Sequence, residues 1–352
     1  MPPFCFLRAV YKSGKLSFTS AIEIRSRKRQ CVVAVMSILV AVSDNSAPWV
    51  RSFARAFQAA LPEQHLVFLG EPFDRRAVSY AIAWKPPAGS LANLPALDAV
   101  FSMGAGVDFL MQDARLPHVP VFRVAQDDLT FRMSEYVVMH CLMHLRDQRR
   151  FDRQQAQKVW NDEKEQPIAS EVRVGIMGMG VLGQDAAGKL KVMGFDVAGW
   201  SRTPKPGLNI PVFSGNEELD AFLSRTDILV ALMPLTSDTR GILNRSLFEK
   251  LAPKGALGGP ILINVGRGGL QVENDILSAL DDRILKAATL DVFEVEPLPA
   301  ESRLWNHPAI TVSPHNSATS EPKATARYIA GQIRRFEAGE EVGGLVDRVR
   351  GY

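Results

Sequence analysis

Short apolar runs alternate with segments of helical periodicity from Met36 onwards. In the first half the runs are SILVAV, HLVFL, YAIAW, DAVFSM and PVFRV. Uninterrupted apolar runs of this length are typical of strands buried on both faces of a parallel sheet, and intervening helices are typical of α/β proteins. We therefore predict a parallel α/β domain, with a turn and helix cap at residues 44–48 and an amphipathic helix over Trp49–Leu61.

A second α/β run follows a long helix and a polar linker. Apolar residues at helical spacing predict the helix over Ser134–Phe151, and the charged segment 152–166 predicts the linker. Six further strand candidates then alternate with helices: EVRVGIMGMG, FDVAGWSR, DILVALMP, PILINVGRG, LKAATLDVF and AITVSPH. Six such strands make a complete doubly wound dinucleotide domain.

The last predicted helix, Pro322–Ala338, is amphipathic and is expected to return to the first domain. The predicted fold is α/β, with two doubly wound parallel-sheet domains. Residues 36–134 and 317–352 would form a discontinuous, flavodoxin-like substrate domain, and residues 135–316 a Rossmann cofactor domain. The active site would lie in the cleft between them.

Residues 1–35 stand apart in charge. They hold seven Lys or Arg residues against Glu23, so they contribute +6 to a formal net charge of +3 and leave −3 for the remainder. A mildly acidic body gives no reason to expect nucleic-acid binding. We expect Met36 to be the natural start and residues 1–35 to be a non-native or disordered extension, although their Ser-, Arg- and Lys-rich, acid-poor composition leaves a targeting or transit peptide open.

Residues 25–42 join a basic run to an apolar run, as signal peptides do. The apolar run is too short to span a bilayer and is better explained as a buried strand, so no membrane association is expected. The three cysteines, Cys5, Cys31 and Cys141, are odd in number and form no CxxC pair. Neither a disulfide framework nor a structural metal site is expected, which favours a reducing compartment and a cytoplasmic location.

A glycine-rich turn, Gly178-Met-Gly180-Val-Leu-Gly183, lies between a predicted strand and a predicted helix. Gly178 permits a tight turn, Gly180 lets the backbone approach a pyrophosphate, and Gly183 lets the helix pack against the sheet. The helix N-terminus would offer free N–H groups and a positive dipole end to the phosphates. We place the cofactor site here, and Val181 and Leu182 belong to it. Further cofactor contacts are assigned near the ends of later strands, to Met233, Pro234, Val265, Gly266 and Asp291.

The strand after this turn indicates which cofactor binds. An NAD site usually ends this strand with an acid that bonds the ribose 2′-hydroxyl, whereas here the segment reads GWSRTPK. Ser201, Arg202 and Lys205 supply a hydroxyl, a guanidinium and an ammonium, which suit a 2′-phosphate. We therefore predict NADPH, with NADH as a weaker cofactor.

Three residues that each follow a predicted strand form the candidate catalytic set. Arg267, in a glycine-rich turn, can hold a carboxylate and polarise the adjacent ketone. His315 closes the last strand and can supply a proton, and the Glu296 carboxylate can favour its charged form. Asp291, at the end of its strand, could face the nicotinamide. The set predicts reduction of a 2-keto acid.

His140 and His144 lie one turn apart on the long helix, a spacing that two metal ligands could use. They lack the Glu of an HExxH motif and a clear third ligand. We therefore interpret them as helix packing or surface residues and predict no metal.

Taken together, these motifs resemble the D-isomer-specific 2-hydroxyacid dehydrogenase family, most closely its glyoxylate/hydroxypyruvate reductase branch, over about Met36 to Tyr352. The segments that carry the resemblance are FSMGAGVD, AIAWKPP, GMGVLG, GWSR, INVGRGGLQVENDILSAL, TLDVFEVEPLP and LWNHPAITVSPHNSA. Residues 1–35 have no counterpart, and the stretch 255–260 is looser than the usual entry into its strand.

The resemblance implies that Arg267 binds the substrate carboxylate and carbonyl and that His315 is the acid/base. It implies that backbone N–H groups near Ala105 and Gly106 meet the carboxylate and that Trp84 lines the substrate pocket. Glyoxylate and hydroxypyruvate would be reduced to glycolate and D-glycerate, and we expect a homodimer.

Two alternatives stay open at this point. A D-lactate or phosphoglycerate dehydrogenase on the same fold would favour NAD through an acid at the position of Ser201 and Arg202, and none is there. The chain could also be a nucleotide-sensing interaction module without turnover, against which the intact Arg, Glu and His set argues.

Overall fold

The structure is a computed structural model that describes residues 36–44, 47–162 and 165–352, all within one folded unit. The predictions for residues 1–35, including the extension, Cys5 and Cys31, lie outside the described residues, as do positions 45 and 46 of the predicted helix cap.

The first sheet has five parallel strands in the order β2-β1-β3-β4-β5. This order is the flavodoxin-like one. The strands are β1 Ser37–Val42, β2 His65–Phe68, β3 Val78–Trp84, β4 Ala99–Ser102 and β5 Val121–Phe122.

The second sheet has seven parallel strands in the order β12-β11-β10-β9-β6-β7-β8. The strands are β6 Arg173–Met177, β7 Asp196–Ser201, β8 Val212–Ser214, β9 Ile228–Ala231, β10 Ile261–Asn264, β11 Ala287–Leu290 and β12 Ile310–Val312. Six of them match the predicted runs. The seventh, β8, was not predicted, because it is a three-residue, partly buried edge strand with no apolar run of its own. The predicted α/β class with two parallel sheets is confirmed.

Helices connect the strands and cover both sheets. They are α1 Pro48–Ala60, α2 Asp108–Met111, α3 Asp127–Leu145, α4 Gln148–Gln157, α5 Val181–Val192, α6 Leu219–Ser224, α7 Arg245–Phe248, α8 Glu273–Asp281 and α9 Pro322–Glu337. Short 3₁₀ helices occupy Ala169–Glu171, Gly268–Leu270 and Arg303–Trp305. Among the described residues, no helix combines the length and apolar character needed to cross a membrane.

Strand β1 shows why the apolar runs are continuous. Alternate side chains of a strand point to opposite faces. Ile38 and Val40 pack on one face with residues of α1 and α9, while Leu39 and Ala41 pack on the other with Leu91 and its neighbours. All six residues of the strand are buried, so apolar side chains are needed on both faces.

The long helix predicted over Ser134–Phe151 was wrong in both bounds. Helix α3 begins seven residues earlier, and the chain breaks before α4, where Asp147 takes a left-handed backbone with φ +51°. Helix α4 also occupies the first six residues of the predicted linker. Its polar sequence carries no apolar stripe, so periodicity could not reveal it. At α1 the N-cap is Ala47, whose side chain forms no capping bond.

The chain passes between the two sheets twice. Helix α3 leaves β5 and packs against α5 on the second sheet, where Val137 and Cys141 lie buried. Helix α9 packs against α1 on the first sheet. The exact bounds of a substrate and a cofactor domain stay a prediction.

Candidate active site

His315 and Glu296 are in contact, as the sequence suggested they could be. The His315 Nδ1 atom lies 2.9 Å from both carboxylate oxygens of Glu296. Glu296 also bonds a cation from the other sheet, because the Lys85 ammonium at the end of β3 lies 3.0 Å from its Oε2 atom. The carboxylate is therefore shared between an imidazole and an ammonium.

The environment keeps Glu296 ionised. Partial burial by itself would raise its pKa, but the hydrogen bond and charge of His315, followed by those of Lys85, outweigh burial and lower the pKa to about 2. Its Oε1 atom also accepts a 3.3 Å bond from the Phe293 backbone N–H. Near neutral pH this side chain is a carboxylate that can stabilise an imidazolium.

The loop that carries His315 is held by Asp291, which is fully buried at the end of β11. The Asp291 carboxylate accepts bonds from the Ser313 hydroxyl at 2.6 Å and from the backbone N–H groups of Asn316 and Ser317, each at 2.9 Å. The His315 N–H donates to the Asp291 carbonyl oxygen at 2.8 Å. A contact of Asp291 with a nicotinamide stays a prediction, but its bonds to this loop position the imidazole.

Arg267 is presented by a turn that Asn264 organises. The fully buried Asn264 side chain donates to the Arg267 carbonyl and to the Gln271 side chain, and it accepts from the Gly266 N–H. Gly268 approaches the Phe293 carbonyl so closely that a Cβ there would lie 1.8 Å from its oxygen. These contacts bring the loops after β10 and β11 together at the carboxyl edge of the sheet.

The Arg267 guanidinium reaches across to the first sheet. Its Nε atom lies 2.8 Å from the Asp108 carboxylate, at the start of α2. Its Nη2 atom lies over Gly106, where an added Cβ would come within 1.1 Å of it. The structure thus brings together Arg267 and the 104–106 loop, which were predicted to share the substrate carboxylate.

Trp84, at the end of β3, lies against the same loop. An added Cβ at Gly104 would be 2.4 Å from the indole, and the Phe109 ring packs edge-on with centroids 5.6 Å apart. Trp84 is therefore partly a packing residue, and its position beside Ala105 and Gly106 suits the wall of a small pocket.

The glycine-rich turn has the geometry of a dinucleotide site. Gly178 has φ +110°, and a Cβ there would lie 2.7 Å from the Leu232 backbone. A Cβ at Gly183 would lie 2.0 Å from the Gly178 carbonyl oxygen, so only glycine lets α5 pack this closely. An added Cβ at Gly180 meets nothing within 4 Å. That open face lies at the N-terminus of α5, where Val181 and Leu182 begin the helix, and a pyrophosphate would fit there.

The end of β7 carries the groups predicted for a 2′-phosphate. The buried Ser201 hydroxyl donates to the Thr203 carbonyl at 2.7 Å, while Arg202 and Lys205 are exposed. The Arg202 guanidinium donates to the Tyr352 hydroxyl and lies 5.6 Å from the centre of its ring. This contact of Tyr352 was not predicted from the sequence.

The remaining predicted cofactor residues follow two neighbouring strands. Met233 and Pro234 begin two residues after the end of β9, and Val265 and Gly266 come directly after β10. A Cβ at Gly266 would lie 3.0 Å from the Met233 carbonyl oxygen, so these two loops are in contact. Their role in cofactor binding stays a prediction.

His140 and His144 are held in the interior of the protein. Burial lowers the pKa of His140 to about 4 and that of His144 to about 3, so both are neutral near pH 7. The Tyr136 ring lies 4.2 Å from the His140 ring, and His144 Nε2 lies 2.9 Å from the Thr289 hydroxyl. These contacts are those of packing residues. Within the described ranges no three His, Cys, Asp or Glu side chains are grouped as metal ligands would be.

Lys85 and Asp108 are functional-site residues that were not predicted from the sequence. Lys85 directly follows β3, Asp108 begins α2 in the segment after β4, and each pairs with a predicted catalytic residue of the other sheet. Their place at the carboxyl ends of β3 and β4 was the signal that could have found them.

Comparison with known proteins identifies the family. Residues 138–317 match the family model "D-isomer specific 2-hydroxyacid dehydrogenase, NAD binding domain". Glyoxylate/hydroxypyruvate reductase A of Yersinia enterocolitica is 40% identical over 289 residues, which cover 79% of this chain and 89% of that protein.

Two solved structures share the fold. The NADPH-dependent glyoxylate/hydroxypyruvate reductase of Sinorhizobium meliloti, solved with NADP and sulfate, is 45% identical in sequence, and the superposition has a TM-score of 0.84. The matched region covers 90% of this chain and the whole of the Sinorhizobium chain. A probable 2-hydroxyacid dehydrogenase from Rhizobium etli CFN 42, solved with NADP, HEPES and L(+)-tartaric acid, is 45% identical with a TM-score of 0.83, over 90% of this chain and 99% of its own. The two parallel sheets, the family-model match over residues 138–317 and the alignment with relatives over most of their length agree. This chain belongs to the D-isomer-specific 2-hydroxyacid dehydrogenase family.

Proposed function

We propose that this protein reduces small 2-keto acids with NADPH, converting glyoxylate to glycolate and hydroxypyruvate to D-glycerate. The observation that carries the proposal is the contact between His315 and an ionised Glu296 at the sheet edge from which Arg267 also projects. An imidazole in contact with an ionised carboxylate, together with a guanidinium at the same sheet edge, provides a proton donor and a carboxylate-binding group, the two functions that keto-acid reduction requires of the protein.

The proposed steps divide among these side chains. Arg267 and the backbone around Gly106 bind the substrate carboxylate and orient the ketone. His315 donates the proton that the new alkoxide oxygen takes up, and Glu296 stabilises the imidazolium before the transfer. When bound, the reduced nicotinamide supplies the hydride.

The glycine turn and the end of β7 support NADPH as cofactor. Gly178, Gly180 and Gly183 would hold the pyrophosphate at the N-terminus of α5, and Ser201, Arg202 and Lys205 would hold a 2′-phosphate. Relatives of this chain were solved with NADP, which agrees with this assignment.

The direct test is a panel of glyoxylate, hydroxypyruvate, pyruvate and phenylpyruvate, with consumption of NADPH or NADH followed by absorbance. We expect NADPH oxidation with glyoxylate and hydroxypyruvate to exceed that with the other two acids. A D-lactate dehydrogenase would instead prefer pyruvate, and a nucleotide-sensing module would bind NADPH without oxidising it with any acid.

Cofactor choice gives the first prediction. Arg202→Ala should raise the Michaelis constant for NADPH about ten-fold or more, because a charge-assisted bond contributes about 1.5–3 kcal/mol. The constant for NADH should stay nearly unchanged, which makes NADH the internal control. Steady-state kinetics with both cofactors measure the effect, and equal kinetics with NADPH and NADH in the parent protein would contradict the assignment.

Substrate size gives the second prediction. Trp84→Ala should improve phenylpyruvate relative to glyoxylate, because removing the indole enlarges the pocket beside Gly104. A lost pocket contact is worth about 1–3 kcal/mol, so the ratio of the two kcat/KM values should shift without a complete switch. Trp84→Phe is the control that keeps an aromatic ring against Phe109. If Trp84→Ala lowers every substrate in proportion, Trp84 is a packing residue only.

We further propose a homodimer in a reducing compartment, with a cytoplasmic location. The segment after α4 supports the dimer, because Trp160 is 95% exposed and the adjacent Val159 is 50% exposed. A partner chain that covered these two adjacent side chains would remove their apolar surface from water, and aromatic residues are enriched in interfaces. Light scattering should give twice the chain mass, and Trp160→Ser should shift the population towards the monomer. A monomeric parent would refute the dimer.

A further inference from the structure

The Glu296 carboxylate contacts two side chains that come from different sheets. His315 lies in the loop after β12 of the second sheet, and Lys85 directly follows β3 of the first. Both pairs are close, at 2.9 Å and 3.0 Å, and they share the Oε2 atom. The ammonium and the imidazole therefore compete for one negative charge.

Two of these three residues have an uncommon backbone. Lys85 has φ +43° and His315 has φ +51°, in the left-handed region that residues other than glycine seldom adopt. Such conformations persist where the surrounding structure enforces them, and they cluster at functional sites. Here they aim an ammonium and an imidazole at the same carboxylate.

Stability gives little reason for the Lys85 contact. The Lys85 side chain is 46% exposed, and ion pairs with an exposed partner contribute little to folding. The pair does connect the two sheets directly beside the proposed proton donor. Its consequences are therefore expected in the chemistry of His315.

Other charged groups nearby do not replace Lys85 in this contact. Asp291, at the end of β11, uses its carboxylate to bond the Ser313, Asn316 and Ser317 segment. Arg267 and Asp108, on the neighbouring loops, are paired with each other.

We propose that Lys85 is a positioning residue that acts through Glu296: it holds the carboxylate beside the end of β3 and limits how strongly that carboxylate stabilises the His315 imidazolium. The proposal deepens the proposed function and rests on its assignment of His315 as proton donor. Two opposite expectations follow. Without Lys85 the carboxylate serves His315 alone, so the imidazolium should persist to higher pH, whereas without the Glu296 charge it should be lost at lower pH.

The test is a pH titration of the His315 ring-proton NMR signal in the cofactor-free full chain, assigned as the signal missing from His315→Asn. Lys85→Met should move the titration midpoint upward by about half to one pH unit, and Glu296→Gln should move it downward. The alkaline limb of kcat for glyoxylate reduction should move in the same two directions. In the Glu296→Gln background, Lys85→Met should have a clearly smaller effect, because the carboxylate through which Lys85 acts is gone.

Lys250→Met is the matched control. Lys250 is 45% exposed and pairs with Asp220 at 2.7 Å. Lys250→Met therefore removes one positive charge and one exposed ion pair, as Lys85→Met does, but at a position away from the site. Lys250→Met should leave the titration midpoint of His315 unchanged, and so should Lys85→Arg, which keeps the charge. If Lys85→Met does not fold, Lys85→Gln takes its place. An unmoved or lowered midpoint in the Lys85 variant would overturn the inference. Because the titration uses no cofactor or substrate, it is independent of the keto-acid panel, whose failure would overturn the proposed function instead.

Discussion

Replacing His315 with alanine should lower the turnover of glyoxylate by about 10²–10⁴-fold, because general acid catalysis by a positioned side chain contributes that much. NADPH should still bind, since the glycine turn and the end of β7 belong to other strands. Stopped-assay kinetics with glyoxylate and a fluorescence titration with NADPH measure the two quantities separately.

Two results would change the assignment. Near-normal turnover of His315→Ala would remove this residue from the mechanism. A parallel loss of NADPH binding would indicate that the loop held by Asp291 had collapsed. The control is Ser237→Ala. Ser237 is exposed in a turn after β9, and the variant should behave like the parent protein.

Arg267→Ala should damage every keto acid to a similar extent, because each presents the same carboxylate and carbonyl. Removing a charged donor that stabilises developing oxyanion charge lowers kcat by about 10²–10³-fold. The measurement is kcat/KM for glyoxylate, hydroxypyruvate and phenylpyruvate, with NADPH affinity as a reference that should be unaffected.

A lysine at this position separates charge from geometry. Arg267→Lys keeps the positive charge beside Asp108 but loses the planar fork that can bind a carboxylate through two bonds. We expect it to recover only part of the lost activity. If Arg267→Ala impaired one substrate and left the others intact, Arg267 would be a specificity residue and not the common carboxylate anchor.

The features that could be predicted from the sequence depend on local pattern. The buried strands can be recognised as apolar runs, because both faces of each parallel sheet are covered. The glycine turn is similarly local, because Gly178 and Gly183 are required by contacts within one strand–turn–helix unit. His315 and Glu296 are 19 residues apart, and each followed a recognisable strand.

The features that were missed depend on contacts between distant parts of the chain. Lys85 pairs with a residue 211 positions away, and Asp108 with one 159 positions away, so neither partner could be read from spacing. The break between α3 and α4 occurs at Asp147, a residue that ordinary helices tolerate, and nothing in the local sequence marks its left-handed backbone. Pattern thus located the strand ends, while the pairing of side chains between the two sheets required the three-dimensional structure.

Helix α9 has a consequence for the order in which the protein is made and folds. The first sheet is synthesised early, yet its α1 face is completed only by Ile329, Ile333 and Phe336, which leave the ribosome after the whole second sheet. Until α9 is synthesised, one apolar face of the first sheet is only partly covered. The helices of the second sheet are synthesised before α9. A chain that stopped before Pro322 would keep every strand of both sheets and still expose that face, so we expect it to aggregate or to be degraded.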